Sequence, residues 1–465
     1  MQTKRLLRKT GIYFIGNLSS KILSILLVPL YAFYITAEQL GIFDYNQTLI
    51  NVLIPISFIA IWEAVLKFLL SVKEDNKKVV SNSILLVIAQ TVVITICVLI
   101  YNFFNCIEYV EYVLMMLLTG GITYVWQYYA RGVKENKLYV KAGIIGTIVN
   151  FITNIILICI FDIKVESLYI GHILGNIAIF LTIELKLKTI KQVSIKKMDM
   201  HFLKRMICFS APLVINLISV WLISGTSKII ITNILGKTQN GLYSFANKFS
   251  IIITFVGSVL SMAIIEEAIL LANENAFDNK FTKTMQFIFE KFISIIILAL
   301  PIINIFYYFI KETEYYPSRY YFPFLLFYAL LMNMSTNIGS AFQALNKTKY
   351  ISITSILGST FTIVISLLFI NKIGIYAVLI GQLVGSILIM ITRYIFVTNI
   401  GKIKIKWDKI FALTIIYMII AFICFTATVY INIVITILLT LIIIYLNRDY
   451  IFQFIDFIRK EKKYD

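Results

Sequence analysis

Apolar runs of about twenty residues or more, each closed by charged or turn-forming residues, recur along the whole chain. A helix crossing a bilayer needs about 20 predominantly apolar residues. These runs are too long and too continuously apolar for barrel strands, which would show roughly ten residues of alternating pattern. The pattern predicts about fourteen transmembrane helices. Their approximate limits are 11–34, 42–69, 79–104, 109–130, 141–161, 166–185, 207–235, 241–265, 285–310, 320–344, 351–371, 374–398, 409–428 and 430–446.

Superimposed on these runs is a repeat. Leu40-Gly41-Ile42-Phe43 follows the first run and Asn240-Gly241-Leu242-Tyr243 the seventh, with Asn17 and Asn216 near the start of the matching segments. Gly132-Val133-Lys134-Glu135-Asn136-Lys137 corresponds to Ala344-Leu345-Asn346-Lys347-Thr348-Lys349, Gly146 to Gly358, and Gly171-x-x-x-Gly175 to Gly381-x-x-x-Gly385. Glycines four apart share one helix face and let a second backbone approach, so the last two pairs predict packing contacts. The expected organisation is an N-terminal six-helix lobe over 1–186, a basic linker over 187–206 and a C-terminal six-helix lobe over 207–398. Two accessory transmembrane helices over 399–447, expected to face lipid, and an amphipathic tail over 448–465 follow. The fold class is an all-α integral membrane protein. A duplicated bundle of spans points to a transporter that rocks one half against the other.

Composition agrees. The chain is 60% hydrophobic and 14% charged, with a mean hydropathy of +0.88, which a soluble protein of 465 residues could not cover with polar surface. A net charge of +18 would suggest nucleic acid for a soluble protein, but the placement of the cations argues against such a partner. With the N-terminus inside, the outer loops hold only Lys164, Lys237, Lys311, Arg319 and Lys372, while Lys21, Lys67, Lys228, Lys248 and Lys291 fall within spans. Nearly all the rest lie on the inner side, so the expected topology is multi-pass with both termini cytoplasmic. The first run is longer than a signal-peptide core and lacks a small-residue cleavage pattern, so it is expected to remain as the first span.

Few residues in the spans carry chemistry. Lys21, Lys228 and Lys248 lie deep enough to serve a cavity, although lysine can also reach the interface. Glu63 and Lys67 stand four apart in the favourable order and suggest a structural pair or a gate. Asp44 suggests a helix cap or a site for a coupling cation. Asn17, Asn46, Asn51, Asn216 and Asn247, with neighbouring Ser, Thr and Gln47, place polar groups in the same spans of both halves, as a water-filled vestibule for a sugar-bearing substrate requires. Pro29 and Pro212 in the first helix of each half, Pro55 and Pro301 each imply a kink or a hinge. His172 suggests a satisfied polar contact. Of the five cysteines, Cys97, Cys159, Cys208 and Cys424 read as small core hydrophobes and Cys106 as a free thiol. The spacing contains no metal-ligand cluster, no nucleotide-binding loop and no nucleophile triad, so neither a metal, a cofactor nor a catalytic residue is expected, and the chain does not read as an enzyme.

Ser210-Ala211-Pro212-Leu213, then Ile234-Leu235-Gly236 and Gly241-Leu242-Tyr243-Ser244-x-Ala246-x-Lys248, resemble the second-half pattern of bacterial polysaccharide exporters. So do Ala344 to Lys349, Ile373-Gly374-Ile375-Tyr376-Ala377, and, in the first half, Val28-Pro29-Leu30 through Phe43. These exporters are the Wzx-type flippases of the multidrug/oligosaccharidyl-lipid/polysaccharide (MOP) superfamily. The resemblance implies two six-helix lobes around a central cavity in the bacterial cytoplasmic membrane, working by alternating access. It implies as cargo an undecaprenyl-diphosphate-linked oligosaccharide carried to the outer leaflet for O-antigen or capsule synthesis. It also implies as partners the lipid bilayer, a polysaccharide polymerase and chain-length proteins. Cavity lysines of the family would meet the diphosphate, and Lys21, then Lys228 and Lys248, are the positions onto which that role carries. A cation-coupled multidrug exporter of the same superfamily, or a membrane glycan polymerase or ligase, stands as the alternative.

Overall fold

The computed structural model describes residue 23, residues 25–446 apart from 71–74, 274–276, 346 and 402–404, and residue 448; for 216, 219, 220, 223, 224, 258–273, 277–280, 344, 401 and 446 it describes the backbone alone. Among the described residues there are helices and no strands. The helices are α1 (Ile25–Tyr34), α2 (Ala37–Ser57), α3 (Ile61–Leu70), α4 (Asn76–Asn105), α5 (Val110–Gly132), α6 (Asn136–Cys159), α7 (Val165–Leu187) and α8 (Met200–Leu235). They continue with α9 (Lys237–Asn273), α10 (Phe277–Phe309), α11 (Phe322–Ala344), α12 (Lys349–Ile373), α13 (Ile375–Gly401), α14 (Trp407–Thr426) and α15 (Val429–Leu446). Of the fourteen apolar runs, the second falls on both α2 and α3, the described part of the first falls on α1, and each of the others falls on one of these elements. Eight of the described helices are long and apolar enough to span a membrane alone, and α2 with α3, bent by 53°, makes up to nine if the pair counts as one span. The chain is an all-α integral membrane protein.

That bend divides what the sequence reads as a single second span. Pro55 has no N–H to donate to the preceding turn, and the helix ends two residues later. Ile59 and Ala60 turn through left-handed backbone, φ 50° and 44°, and α3 restarts at Ile61. At its other end α2 is fixed by a capping box: Thr36 Oγ1 accepts from the Gln39 N–H, and the Gln39 side chain accepts from the Thr36 N–H. Asp44 therefore caps nothing. It lies two turns inside the helix.

The chain divides into two compact units, one of residues up to Phe245 with Phe369–Ile375, the other of Ala246–Leu368 with the residues from Tyr376 on. In the first, α6 and α7 pack through their glycines: a Cβ on Gly146 would lie 2.7 Å from the Gly175 carbonyl oxygen and 2.4 Å from Ile179 Cγ1. In the second, α12 and α13 repeat the contact with Gly358, the Gly385 oxygen at 2.7 Å and Ile389 Cγ1 at 2.2 Å. The glycine pairs thus pack as their spacing predicts, and the duplication extends to the isoleucine that fills each notch.

The motif glycines themselves meet inside the first unit. A Cβ on Gly41 of α2 would fall 1.8 Å from the Lys237 carbonyl oxygen, and one on Gly241 of α9 would fall 1.7 Å from that of Ala37. Asn240 Nδ2 donates to the Gly41 oxygen at 2.9 Å and closes the crossing.

The basic segment before α8 is docked rather than loose. Its two short 3₁₀ turns, Ile190–Gln192 and Ile195–Lys197, lie against the start of α4. Asn82 accepts from the Asp199 N–H and donates to the Lys197 oxygen, and Ser81 accepts from the Ser194 N–H. Lys78 pairs with Asp199 at 2.7 Å and Lys197 with Asp75. In the second unit α14 and α15 pack on α10: Asn304 donates to the Cys424 oxygen, Tyr308 to that of Ala427, and Tyr417 to that of Pro323 at the start of α11. Of the cysteines expected in the core, only Cys424 is buried; Cys97, Cys159 and Cys208 sit on exposed helix faces, because an apolar run that must contact lipid turns some of its small residues outward. Cys106 is a free, exposed thiol that ends α4. The amphipathic tail lies outside the described residues save for Arg448.

Two outcomes follow. Gly41→Ala or Gly241→Ala forces a methyl onto a neighbouring backbone oxygen, where overpacking costs about 1–3 kcal/mol or more. Thermal unfolding in detergent should register that loss, while Gly143→Ala, with open space around it, should be neutral or stabilising. Lys78 and Lys197 hold Asp199, at about 2, and Asp75 below the usual carboxylate range. Depressed carboxylates add stability that is full above about pH 4 and lost as pH falls through their folded values. Hydrogen exchange over 188–199, corrected for intrinsic rate, should therefore lose protection below pH 4 in wild type and already be weak at neutral pH in Asp199→Asn.

Candidate functional site

The glycine crossing sets the spacing between α2 and the start of α9, and a polar cluster forms three residues along each. Lys228, from the interior of α8, donates to Asp44 Oδ1 at 2.8 Å. Ser244 of α9 donates to Asp44 Oδ2 at 2.6 Å. The two charged side chains are 19% and 12% exposed, so the pair is largely withdrawn from solvent but still within its reach. Trp221, also on α8, donates to the Thr48 oxygen at 2.9 Å and ties the two helices together one turn further along α2. An ammonium in apolar surroundings stays charged only with a partner that compensates its lost hydration. Asp44 is that partner.

Asn46, one of the predicted cavity residues, faces elsewhere: it is buried and donates to the Tyr169 hydroxyl at 2.8 Å and to the Glu108 oxygen. Glu108 in turn pairs with Lys237 at 2.6 Å. Asn51 does line a half-open cavity, of about 210 Å³, between α2, α5 and α7. Gln47, Thr123, Tyr124, Gln127, His172 and Asn176 contribute the rest of its polar and aromatic wall. Gln47 Nε2 lies 3.1 Å from His172 Nε2, the satisfied contact the sequence suggested for this histidine. Gln127 and Asn176 escape notice in the sequence because neither α5 nor α7 has a pronounced polar face, and only packing reveals which side is inward.

The remaining candidates scatter. Lys248 and Asn247 are half-buried on α9 within the second unit. Glu63 and Lys67 form no ion pair between them; Glu63 lies beside Tyr128, and the Lys67 ammonium sits 3.7 Å from the centre of the Phe209 ring. A long flexible lysine gains more from an aromatic face already packed against α3 than from a carboxylate one turn behind it. Asn17 and Lys21 lie outside the described residues, as does the side chain of Asn216. Arg393, which the charge count assigns to the inner side, is instead buried in α13 of the second unit. It donates to the Ser335 oxygen at 2.8 Å, to Ser355 Oγ at 2.8 Å and to Thr354 Oγ1 at 3.1 Å, binding α11 and α12 to α13. Its signal was a lone arginine within an apolar run.

Removing either member of the Asp44–Lys228 pair leaves a largely buried charge uncompensated. Asp44→Ala and Lys228→Ala should each lower stability by about 3 kcal/mol, whereas Asp44→Leu with Lys228→Met should recover most of that loss. Chemical denaturation of the detergent-solubilised protein measures the cycle.

Against this geometry, the comparisons with known proteins are informative. No curated protein matches the chain significantly. Among solved structures, the lipid II flippase MurJ in an inward closed conformation is similar, with a TM-score of 0.68 at 16% identity over 95% of this chain and 99% of that one. An inward-facing multidrug resistance MATE transporter of the MOP superfamily matches with a TM-score of 0.62 at 15% identity, covering 84% and 96%. A MOP superfamily transporter from Pyrococcus furiosus, described as having a binding pocket of reversed polarity, matches with 0.57 at 12%, covering 84% and 96%. At such identities the likeness is one of fold, and the fold is that of the MOP transporters. A family model for polysaccharide biosynthesis proteins matches residues 6–265. That match takes in more than half of the chain's 465 residues, α2 and α8 among them, and the chain belongs to the polysaccharide biosynthesis protein family.

Proposed function

We propose that the protein is a flippase. It moves undecaprenyl-diphosphate-linked oligosaccharide units from the inner to the outer leaflet of the bacterial cytoplasmic membrane, by alternating access of two lobes, for a surface polysaccharide such as O-antigen or capsule. The observation that carries this is a charged lysine inside apolar helices whose counter-ion is one exchangeable carboxylate. A diphosphate offers Lys228 a stronger, charge-assisted partner than Asp44. As it enters, Asp44 is left with Ser244, and the return of Asp44 to Lys228 releases the cargo. Lys21 and Lys248 belong to the same diphosphate-binding set in this scheme, and Asn17, Asn51, Asn216 and Asn247 line the path of the glycan. The prenyl tail stays in lipid. No covalent step is required, so the protein acts as a transporter without catalytic residues.

Membership of a polysaccharide biosynthesis family and the fold shared with a lipid II flippase support an isoprenoid-linked saccharide as cargo. Both termini lie in the cytoplasm in this scheme, and a polysaccharide polymerase and chain-length proteins receive the product. The alternative, a cation-coupled multidrug exporter, needs a carboxylate free to take the cation. Both oxygens of Asp44 are already engaged, by Lys228 and Ser244, which weighs against it.

The test is complementation of a deletion strain, with the lipid-linked oligosaccharide quantified in each leaflet. Losing one charge-assisted contact to the diphosphate, about 1.5–3 kcal/mol, predicts that Lys228→Ala lowers export roughly tenfold to a hundredfold and accumulates cargo on the inner leaflet. Unchanged export in Lys228→Ala would overturn the proposed role of this pair, and unchanged export in Lys21→Ala would remove that lysine from the site.

A further inference from the structure

The cavity between α2, α5 and α7 is chemically unlike the ion pair on the same helix. None of the residues around it is Asp, Glu, Lys or Arg. Its imidazole ring, His172, is in hydrogen-bond contact with the Gln47 side chain, Nε2 to Nε2 at 3.1 Å. Two carboxamides in the wall, Asn51 and Gln127, make no hydrogen bond to any other described residue. Beside them is Tyr124, 41% exposed, one face of its ring backed by Trp62 at a centroid distance of 4.9 Å.

Each feature narrows the ligand. Uncommitted carboxamides offer donors and acceptors together, and a hydroxyl is the group that needs both. A supported aromatic face suits a ring with an apolar C–H surface. With no lysine or arginine in its wall the cavity is a poor host for a diphosphate, which would lose its hydration there with little compensation. Size is in keeping: the half-open cavity of about 210 Å³ is smaller than the roughly 300–1,000 Å³ of pockets that enclose drug-sized molecules. We infer that this cavity is a subsite for one neutral sugar ring, held by Asn51 and Gln127 against the face of Tyr124. The inference rests on the cargo proposed above, and it divides the labour on α2: Asp44 and Lys228 answer to the anionic link, and the stretch around Gln47 and Asn51 to the first neutral sugar.

The experiment uses the full chain in lipid nanodiscs and compares bare undecaprenyl diphosphate with a panel of undecaprenyl diphosphates each bearing one neutral hexose or N-acetylhexosamine. Two hydrogen bonds of about 1 kcal/mol each predict that at least one glycosylated lipid binds roughly thirtyfold more tightly than the bare lipid. Asn51→Ala and Gln127→Ala should each lower that preference severalfold, and together they should abolish it while binding of the bare lipid is unchanged. Neither substitution strips a hydrogen bond from another described residue, so the folded protein is expected in each case, and each single variant tests the assignment if the double does not accumulate. Equal binding of all lipids, or a preference that survives both substitutions, overturns the sugar subsite and leaves the flippase proposal standing. Failure to bind any polyprenyl diphosphate overturns both.

Discussion

Two helices can touch backbone to backbone only where neither carries a Cβ, and this protein does so at Gly41 and Gly241. The contact fixes the register of α2 against the start of α9 to within a fraction of a residue, because a methyl on either side would fall onto a carbonyl oxygen. Three residues beyond the crossing on each helix come Asp44 and Ser244, which that register sets in hydrogen-bond contact. Asn240 locks the same crossing from one residue before it. The ion pair with Lys228 depends on this spacing, since a shift of α2 by one residue would turn the carboxylate about 100° away around the helix axis.

The two kinds of polar group on α2 have different physical consequences. Asp44 and Lys228 compensate each other's lost hydration, so each restrains the other and their exchange for another ion is the only inexpensive change open to them. Asn51 and Gln127 are uncharged and uncommitted, so they can lose water to a ligand at small cost. The break after Ser57 separates this polar half of the span from α3, whose cation rests on an aromatic ring instead. Pro55 thereby limits the polar stretch to one helix, and α3 is left to pack against α5 and α8.

Much of this is legible in the sequence. The glycine pairs at 171/175 and 381/385 predict close packing: Gly175 and Gly385 meet Gly146 and Gly358, the two glycines matched in the repeat, while Gly171 meets Asn154 and Gly381 meets Thr362 and Ser366. Other expectations failed for identifiable reasons. Asp44 was read as a cap because it follows a glycine that looks like a turn; Gly41 is instead a packing notch inside a continuous helix. Glu63 and Lys67 have the spacing of a helical pair, but an aromatic ring from α8 outcompeted the carboxylate. Asn46 was grouped with Asn51 as vestibule, although five residues on a helix separate them by about 140° of rotation, enough to point one at Tyr169 and the other at the cavity. Arg393 went unremarked because a cation near the end of a span reads as interfacial, and nothing local revealed the carbonyl and hydroxyls that receive it.

What the sequence determined by itself is what depends on local composition and period: a membrane-embedded, all-helical chain, the placement of its helices, the internal repeat and the few residues too polar for lipid. These follow from hydropathy and spacing, which any window of the chain carries. Only the tertiary structure decided partnership. Asp44 and Lys228 are 184 residues apart, and Asn51, Gln127 and Asn176 come from three helices. The free energy of a buried charge or an unbonded amide belongs to its neighbours in space, and those are set by which helix faces meet when the repeat's glycines come together.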